Sequence, residues 1–154
     1  NMAMIKIIAI GKKHEKLVLA GISEFEKRLK KPFDISWQIL PHSVYDGEKA
    51  RVGESERIAK VLRPSDFVIL LDERGKNISS PEFSQLLEDK FINSREVVVV
   101  IGGAFGVSEE FRASVDFVWS LSKLVLPHQL VRLVLTEQIY RAQEIASGGK
   151  YHHE

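Results

Sequence analysis

Residues 96–101, Glu-Val-Val-Val-Val-Ile, run without a break into Gly102-Gly103. A short β-branched run of this kind reads as a strand, and no polar residue alternates within it. Both of its faces must then be covered by protein, which is the condition of a central strand in a sheet with helices on either side. Two other segments share this character: residues 4–10 (MIKIIAI), bounded by Gly11, and residues 66–71 (DFVILL).

The intervening segments supply the helices. Residues 15–30 place Leu17, Val18, Ala20, Gly21, Phe25 and Leu29 towards a core, and Pro32 stops the helix. Residues 33–40 alternate as a strand with Phe33, Ile35, Trp37 and Ile39 on one side. Residues 42–50 read as a polar, mobile loop, and residues 51–62 carry Val52, Ile58, Ala59 and Leu62 in helical spacing. After the strand at 66–71, Asp72 to Lys76 reads as a charged loop. Ser79 or Ser80 caps a helix running to Phe91, with Pro81 in its first turn. Ser108-Glu109-Glu110 starts a short helix, and residues 117–121 form a fifth strand. Strand and helix alternate throughout, so the fold class is α/β with a mostly parallel sheet flanked by helices. Ligands of such sheets bind beyond the carboxyl ends of the strands. Leu71-Asp72, Gly102-Gly103 and residues 121–126 are therefore the candidate site segments.

The last part of the chain is the most distinctive. A Ser120-Leu121-Ser122 turn leads through Lys123 and a short apolar step, Leu124, Val125 and Leu126. Pro127 opens a long helix at its first turn, and Gly148-Gly149 ends it. Leu130, Val131, Leu133, Val134, Leu135 and Ile139 cover most of its circumference at about 100° per residue. Such a helix needs cover on several sides, from its own domain and from a partner chain. Function is expected where the tail, Tyr151, His152, His153 and Glu154, returns to the Ser-Leu-Ser turn.

Composition sets bounds on this reading. The 154 residues suffice for one domain with one core. With no cysteine, disulfides, thiolate metal sites and a cysteine nucleophile are excluded. No apolar run approaches a membrane span, and no signal peptide is apparent, so the cytoplasm is the expected location. Asn1-Met2-Ala3 before Met4 reads as a cloning remnant, leaving a single domain over residues 4–154. The net charge of +1 gives no strong nucleic-acid footprint. Residues 1–65 nevertheless hold 13 lysines and arginines against 8 acidic residues, so a polyanion would approach that half. The alternative is two solvated faces of opposite sign.

Each motif alone leaves two readings open. The run at 102–106, Gly-Gly-Ala-Phe-Gly, lacks the spacing of a dinucleotide fingerprint, and there is no phosphate-binding P-loop. It is either a tight turn or a place where a flat ligand lies against bare backbone. Ser120 and Ser122 either close a turn or hold a ligand's polar edge. Arg141 stands four residues after Glu137, as in an ordinary helix ion pair. His152 could serve as an acid or base, or merely belong to a frayed end. A metal site is disfavoured, because adjacent histidines diverge and no third ligand is apparent.

Taken together, LDERGK (71–76), IGGAFG (101–106), WSLSKLVLPHQLVR (119–132), EQIYRA (137–142) and YHHE (151–154) resemble the RlmH family. These are SPOUT-class methyltransferases that act on large-subunit (23S) ribosomal RNA. The resemblance covers essentially the whole chain from Met4; Lys150 stands where many relatives carry proline. It implies an α/β domain with a C-terminal trefoil knot and an obligate homodimer. It implies S-adenosylmethionine as cofactor, held by Leu71, Gly102, Leu121, Ser122, Lys123, Leu124, Val125 and Leu126. The implied substrate is a pseudouridine in an rRNA hairpin loop on the assembled ribosome, methylated at N(3). Tyr151, Arg141 and His152 are the expected catalytic and substrate-binding residues. No metal is needed, since a sulfonium methyl is already a strong electrophile. Two other readings compete: a ribosome-associated module that binds the cofactor without transferring methyl, and a nucleotide-cofactor enzyme acting on a small molecule.

Overall fold

The computed structural model describes residues 4–153. Asn1 to Ala3, read above as a remnant, and Glu154 of the tail lie outside the described residues. Strands and helices alternate along the chain: β1 (Ile5–Ile10), α1 (Lys16–Glu26), β2 (Ile35–Leu40), α2 (Gly47–Val61), β3 (Phe67–Lys76), α3 (Ser80–Ile92), β4 (Val97–Ile101), α4 (Glu109–Ser114), β5 (Phe117–Trp119) and α5 (His128–Ala146). The sheet has five strands in the order β2-β1-β4-β3-β5. Every pairing is parallel, as the alternation requires.

The apolar runs occupy the centre. Val97 to Ile101 are buried along the whole of β4, between Ile5 to Ala9 of β1 and Phe67 to Leu71 of β3. Their side chains alternate between two cores. Val97, Val99 and Ile101 pack with Phe83 and Leu87 of α3 and Leu135, Ile139 and Ala142 of α5. Val98 and Val100 pack with Ile58 of α2 and Phe111 of α4. On the first face α5 packs against both α1 and α3. The chain thus leaves β5 at the sheet edge and returns over the sheet through α5.

Several boundaries differ from the sequence reading. Helix α1 ends at Glu26 and turns Val18 and Ile22 inward, leaving Leu17 88% exposed and Ala20 exposed. The expected core positions Leu17 and Ala20 are therefore wrong for this chain on its own. Helix α2 begins at Gly47, four residues before the expected start, so Gly47 to Ala50 are not loop. Glu48 in its first turn suits the positive end of the helix dipole and pairs with Arg51. Its buried stripe is Ala50, Glu54, Ser55 and Ile58, while Val52 is 40% exposed and Ala59 is exposed. Polar residues can line that stripe because backbone donors meet them: Ser43 N–H bonds Glu54 Oε2 at 2.7 Å and Ser108 N–H bonds Ser55 Oγ at 2.9 Å.

The charged segment after Leu71 is strand rather than loop. Leu71 and Lys76 both register with Trp119 of β5, so residues 72–75 form a bulge between two points of pairing. Strand β5 stops at Trp119, two residues before the expected end, and Ser120 N–H bonds Lys76 C=O at 2.9 Å. Pro127 caps α5 from outside instead of occupying its first turn. Ser79, not Ser80, caps α3 in a reciprocal capping box with Glu82. None of the helices described is long and apolar enough to cross a membrane.

The bulge constrains Gly75. A Cβ there would stand 2.6 Å from the Val118 carbonyl oxygen, a backbone atom that cannot swing aside. Gly75→Ala should cost about 2 kcal/mol in stability through overpacking, read as a lower urea midpoint at unchanged slope. An unchanged midpoint would mean that the bulge moves freely against β5.

Candidate functional site

A crevice of about 620 Å³ opens beyond the carboxyl ends of β3 and β4. Its walls come from three stretches: residues 70–74, residues 101–107, and the segment before α5 together with His128 and Val131. Parallel packing explains the meeting. All strands finish on one rim, and the segment returning from β5 to α5 crosses that rim.

Of the residues expected to hold a cofactor, Leu71, Gly102, Leu121, Ser122, Leu124, Val125 and Leu126 line the crevice. Lys123 does not; its side chain is exposed to solvent. The Ser-Leu-Ser segment is a self-bonded turn: Ser120 Oγ donates to Ser122 C=O at 2.9 Å, and Ser122 Oγ accepts from Leu124 N–H at 3.0 Å. The glycine run is a tight turn as well. Gly106 N–H bonds Gly103 C=O at 3.0 Å, with Gly106 at φ +78°. Gly103 has little room for a side chain, since a Cβ would come 2.5 Å from Glu54 Oε1. The wall therefore combines bare backbone at 102–103 with exposed aliphatic groups, Leu124 at 72% and Val125 at 78%. That pairing suits a flat heterocycle, with backbone polar groups at its edge.

The mouth carries charge. Asp72 accepts two hydrogen bonds from the Arg74 guanidinium, at 2.9 and 3.2 Å, and one from Arg112 at 3.1 Å. Burial pushes the Asp72 carboxyl up, but these arginine contacts outweigh it and hold the carboxyl below its ordinary value. Asp72 is thus an ionised strut between the β3 bulge and α4, unsuited to act as a base.

None of the described tail residues, Tyr151 to His153, lines the crevice of its own chain. Tyr151 Oη donates to Glu137 Oε2 at 2.9 Å, and Arg141 donates to the same oxygen at 2.7 Å. Arg141 Nη1 also meets His152 Nδ1 at 3.0 Å, and its guanidinium lies 4.8 Å from the Tyr151 ring centre. Tyr151 packs edge-on against Tyr140 at 4.8 Å. The i,i+4 pair of Glu137 and Arg141 is present, and the three expected catalytic residues gather around it. Ten residues separate Arg141 from Val131 in the crevice wall, about 15 Å along the helix. The expected meeting of tail and Ser-Leu-Ser turn is therefore not made within one chain. A guanidinium only donates, so Arg141 Nη1 is the donor and His152 Nδ1 the acceptor. Burial and the Glu137 bond push the Tyr151 phenol up, keeping it a donor.

A feature that the sequence reading missed lies behind the crevice. Arg132 is 1% exposed and has no carboxylate ion pair among the described residues. Its Nη1 faces His14 Nδ1 at 3.2 Å and its Nη2 faces His128 Nε2 at 3.4 Å. Burial, reinforced by Arg132, lowers both histidines, His128 to about 4. The i,i+4 spacing of His128 and Arg132 was the available signal, but His14 joins them only through the fold. Because His128 titrates lower in the folded chain than its ordinary 6.5, the unfolded chain binds its proton more readily. Stability is then fully present above about pH 6.5 and is lost as pH falls towards about 4. Urea midpoints measured down this range should fall less steeply for His128→Asn than for the unsubstituted chain; parallel curves would contradict the assignment.

No group of three or more potential metal ligands occurs among the described residues. Comparison with known proteins agrees with the architecture. A family model described as "Predicted SPOUT methyltransferase" matches residues 3–152. A protein of Desulfitobacterium hafniense named Ribosomal RNA large subunit methyltransferase H is 42% identical over 98% of this chain and 99% of its own. Proteins of the same name from Dictyoglomus thermophilum and Bacteroides fragilis are 40% and 36% identical, over 97% and 96% of this chain and 99% and 98% of their own. Among solved structures, a probable methylase family protein from Haemophilus influenzae Rd KW20 superposes with a TM-score of 0.56 at 14% identity, covering 99% of this chain and 71% of that one. A methylase family protein from Neisseria gonorrhoeae gives 0.55 at 12%, covering 99% and 87%. The match to the family model over nearly the whole length, on a parallel sheet with a crevice at its strand ends, identifies the chain as a member of the SPOUT methyltransferase family.

Proposed function

We propose that this protein transfers a methyl group from S-adenosylmethionine to N(3) of a pseudouridine in large-subunit (23S) ribosomal RNA, acting on the assembled ribosome. The relatives' shared name supports the rRNA substrate class. The crevice carries the donor assignment: bare backbone at Gly102 beside the aliphatic wall of Leu124, Val125 and Leu126 fits an adenine ring. Leu71, Leu121 and Ser122 complete the pocket. The donor supplies an electrophilic methyl, so the protein's task is to align it with the base nitrogen at about 3 Å.

Methylation also requires loss of the imide proton of the base. Arg141 donates to Glu137 and to His152 Nδ1, and these bonds hold Arg141 and His152 in place. They would stabilise negative charge spreading onto the carbonyl oxygens, which favours His152 as a donor over His152 as a base. Tyr151, anchored by its hydroxyl, offers a ring on which an unpaired base can stack.

Since the tail of one chain stands away from that chain's crevice, the active unit in this reading is a homodimer. The exposed apolar side chains fit this: Leu17 on α1, and Leu130 at 39% on α5, lie at the end where Glu15 N–H bonds Gln129 Oε1 at 2.9 Å. The return of the chain from the edge strand β5 to α5 between α1 and α3 is, in the same reading, the trefoil knot of the fold. The cytoplasm, where ribosomes are assembled, is the expected compartment.

Labelled methyl transfer to ribosomes lacking the modification tests the proposal, with naked rRNA in parallel. The label should appear in pseudouridine; no label in any sample, despite donor binding, would leave a binding module. Arg141→Ala should lower the transfer rate about a hundredfold while binding the donor normally. Mixing and re-annealing Arg141→Ala with the crevice variant Gly102→Val should restore part of the activity. No recovery from a verified heterodimer would mean that each chain completes its own site.

A further inference from the structure

Arg132 is a guanidinium almost wholly out of water without an ion-paired carboxylate among the described residues, and its Nε atom has no hydrogen-bond partner there. Burying a charge this way is costly, so its placement calls for an explanation. It reaches towards the carboxyl end of β1, where a Cβ on Gly11 would lie 3.7 Å from both Arg132 Nη2 and His128 Cε1. His14, packed edge-on against Trp37 at 4.5 Å, closes the other side. His128 alone of the three side chains lines the crevice.

The hydrogen-bond polarity fixes the histidine. Arginine can only donate, so His128 Nε2 must accept, and the neutral ring carries its proton on Nδ1. With His128 lowered to about 4, that neutral form persists throughout the physiological range. Nδ1–H has no hydrogen-bond partner among the described residues, and the residue that carries it lines the crevice. A residue of the crevice wall with a fixed N–H donor, backed by a buried positive charge that feels Glu15 but forms no ion pair among the described residues, favours an anionic acceptor.

We infer that His128 is a further binding residue of the crevice, donating Nδ1–H to the carboxylate at the amino-acid end of the methyl donor, and that Arg132 is its positioning residue. The inference rests on the donor assignment made above. Arg132 sets the tautomer and adds a favourable potential, while the glycine loop and the aliphatic wall hold the opposite, heterocyclic end. Neither residue takes part in bond making.

The test is titration calorimetry with two probes, S-adenosylhomocysteine and 5′-methylthioadenosine, which lacks the amino-acid end. His128→Ala should bind S-adenosylhomocysteine about tenfold more weakly and 5′-methylthioadenosine within about twofold of the unsubstituted chain. His128→Asn, whose amide N–H stands near the place of Nδ1, should recover most of the loss. Thermal melts of each variant establish that it is folded. Equal weakening of both probes would make His128 a packing residue and overturn the inference, as would unchanged binding by His128→Ala or failure of Asn to recover it. If the unsubstituted chain binds neither probe, the donor assignment falls and this inference with it. If it binds both and only the His128 pattern fails, the donor assignment stands.

Discussion

Everything in this fold depends on burying β4 on both faces. Val97 to Ile101 has no polar side to give to water, so one helical layer must cover each face. Helices α2 and α4 supply one layer, while α1, α3 and α5 supply the other. The second layer is completed only when the chain returns from the edge strand and lays Leu135, Ile139 and Ala142 over the middle of the sheet. That return carries residues 120–127 across the strand ends and so walls the crevice. The site is a by-product of closing the core, which explains why a wall as apolar as Leu124 and Val125 is left facing outward.

The same helix joins two polar centres of different character. At its start, Arg132 is enclosed with two histidines and forms no ion pair among the described residues. Near its end, Arg141 is tied to Glu137, and both Tyr151 and His152 fold onto that pair. The first centre is built into the core; the second lies at the chain terminus, on the helix surface. Their separation along α5 is what the proposed homodimer would bridge.

Much of this was legible in the residues. The central strands, the strand ends as site, and the cluster of aliphatic residues at 124–126 follow from apolar runs and glycine positions. What was not legible depends on tertiary partners. Leu17 has the periodicity of a core residue, yet α1 buries Val18 and Ile22 instead. Glu54 and Ser55 look solvated, but loop N–H groups make them buried acceptors. The charged run at 72–75 reads as loop because polar composition hides a bulge whose pairing resumes at Lys76. Lys123 sits within a segment that lines the crevice but points out of it. The Arg132 cluster was invisible because His14 is more than a hundred residues away, |i−j| = 118.

The occupant of the crevice decides the function of this fold. A crystal structure of the protein with S-adenosylhomocysteine tests this most directly. The ligand's adenine is expected between the Gly102 backbone and residues 124–126, with its other end towards His128. Ordered ligand elsewhere, such as the groove between Arg28, Lys30 and Tyr140, with the crevice filled only by water, would contradict it.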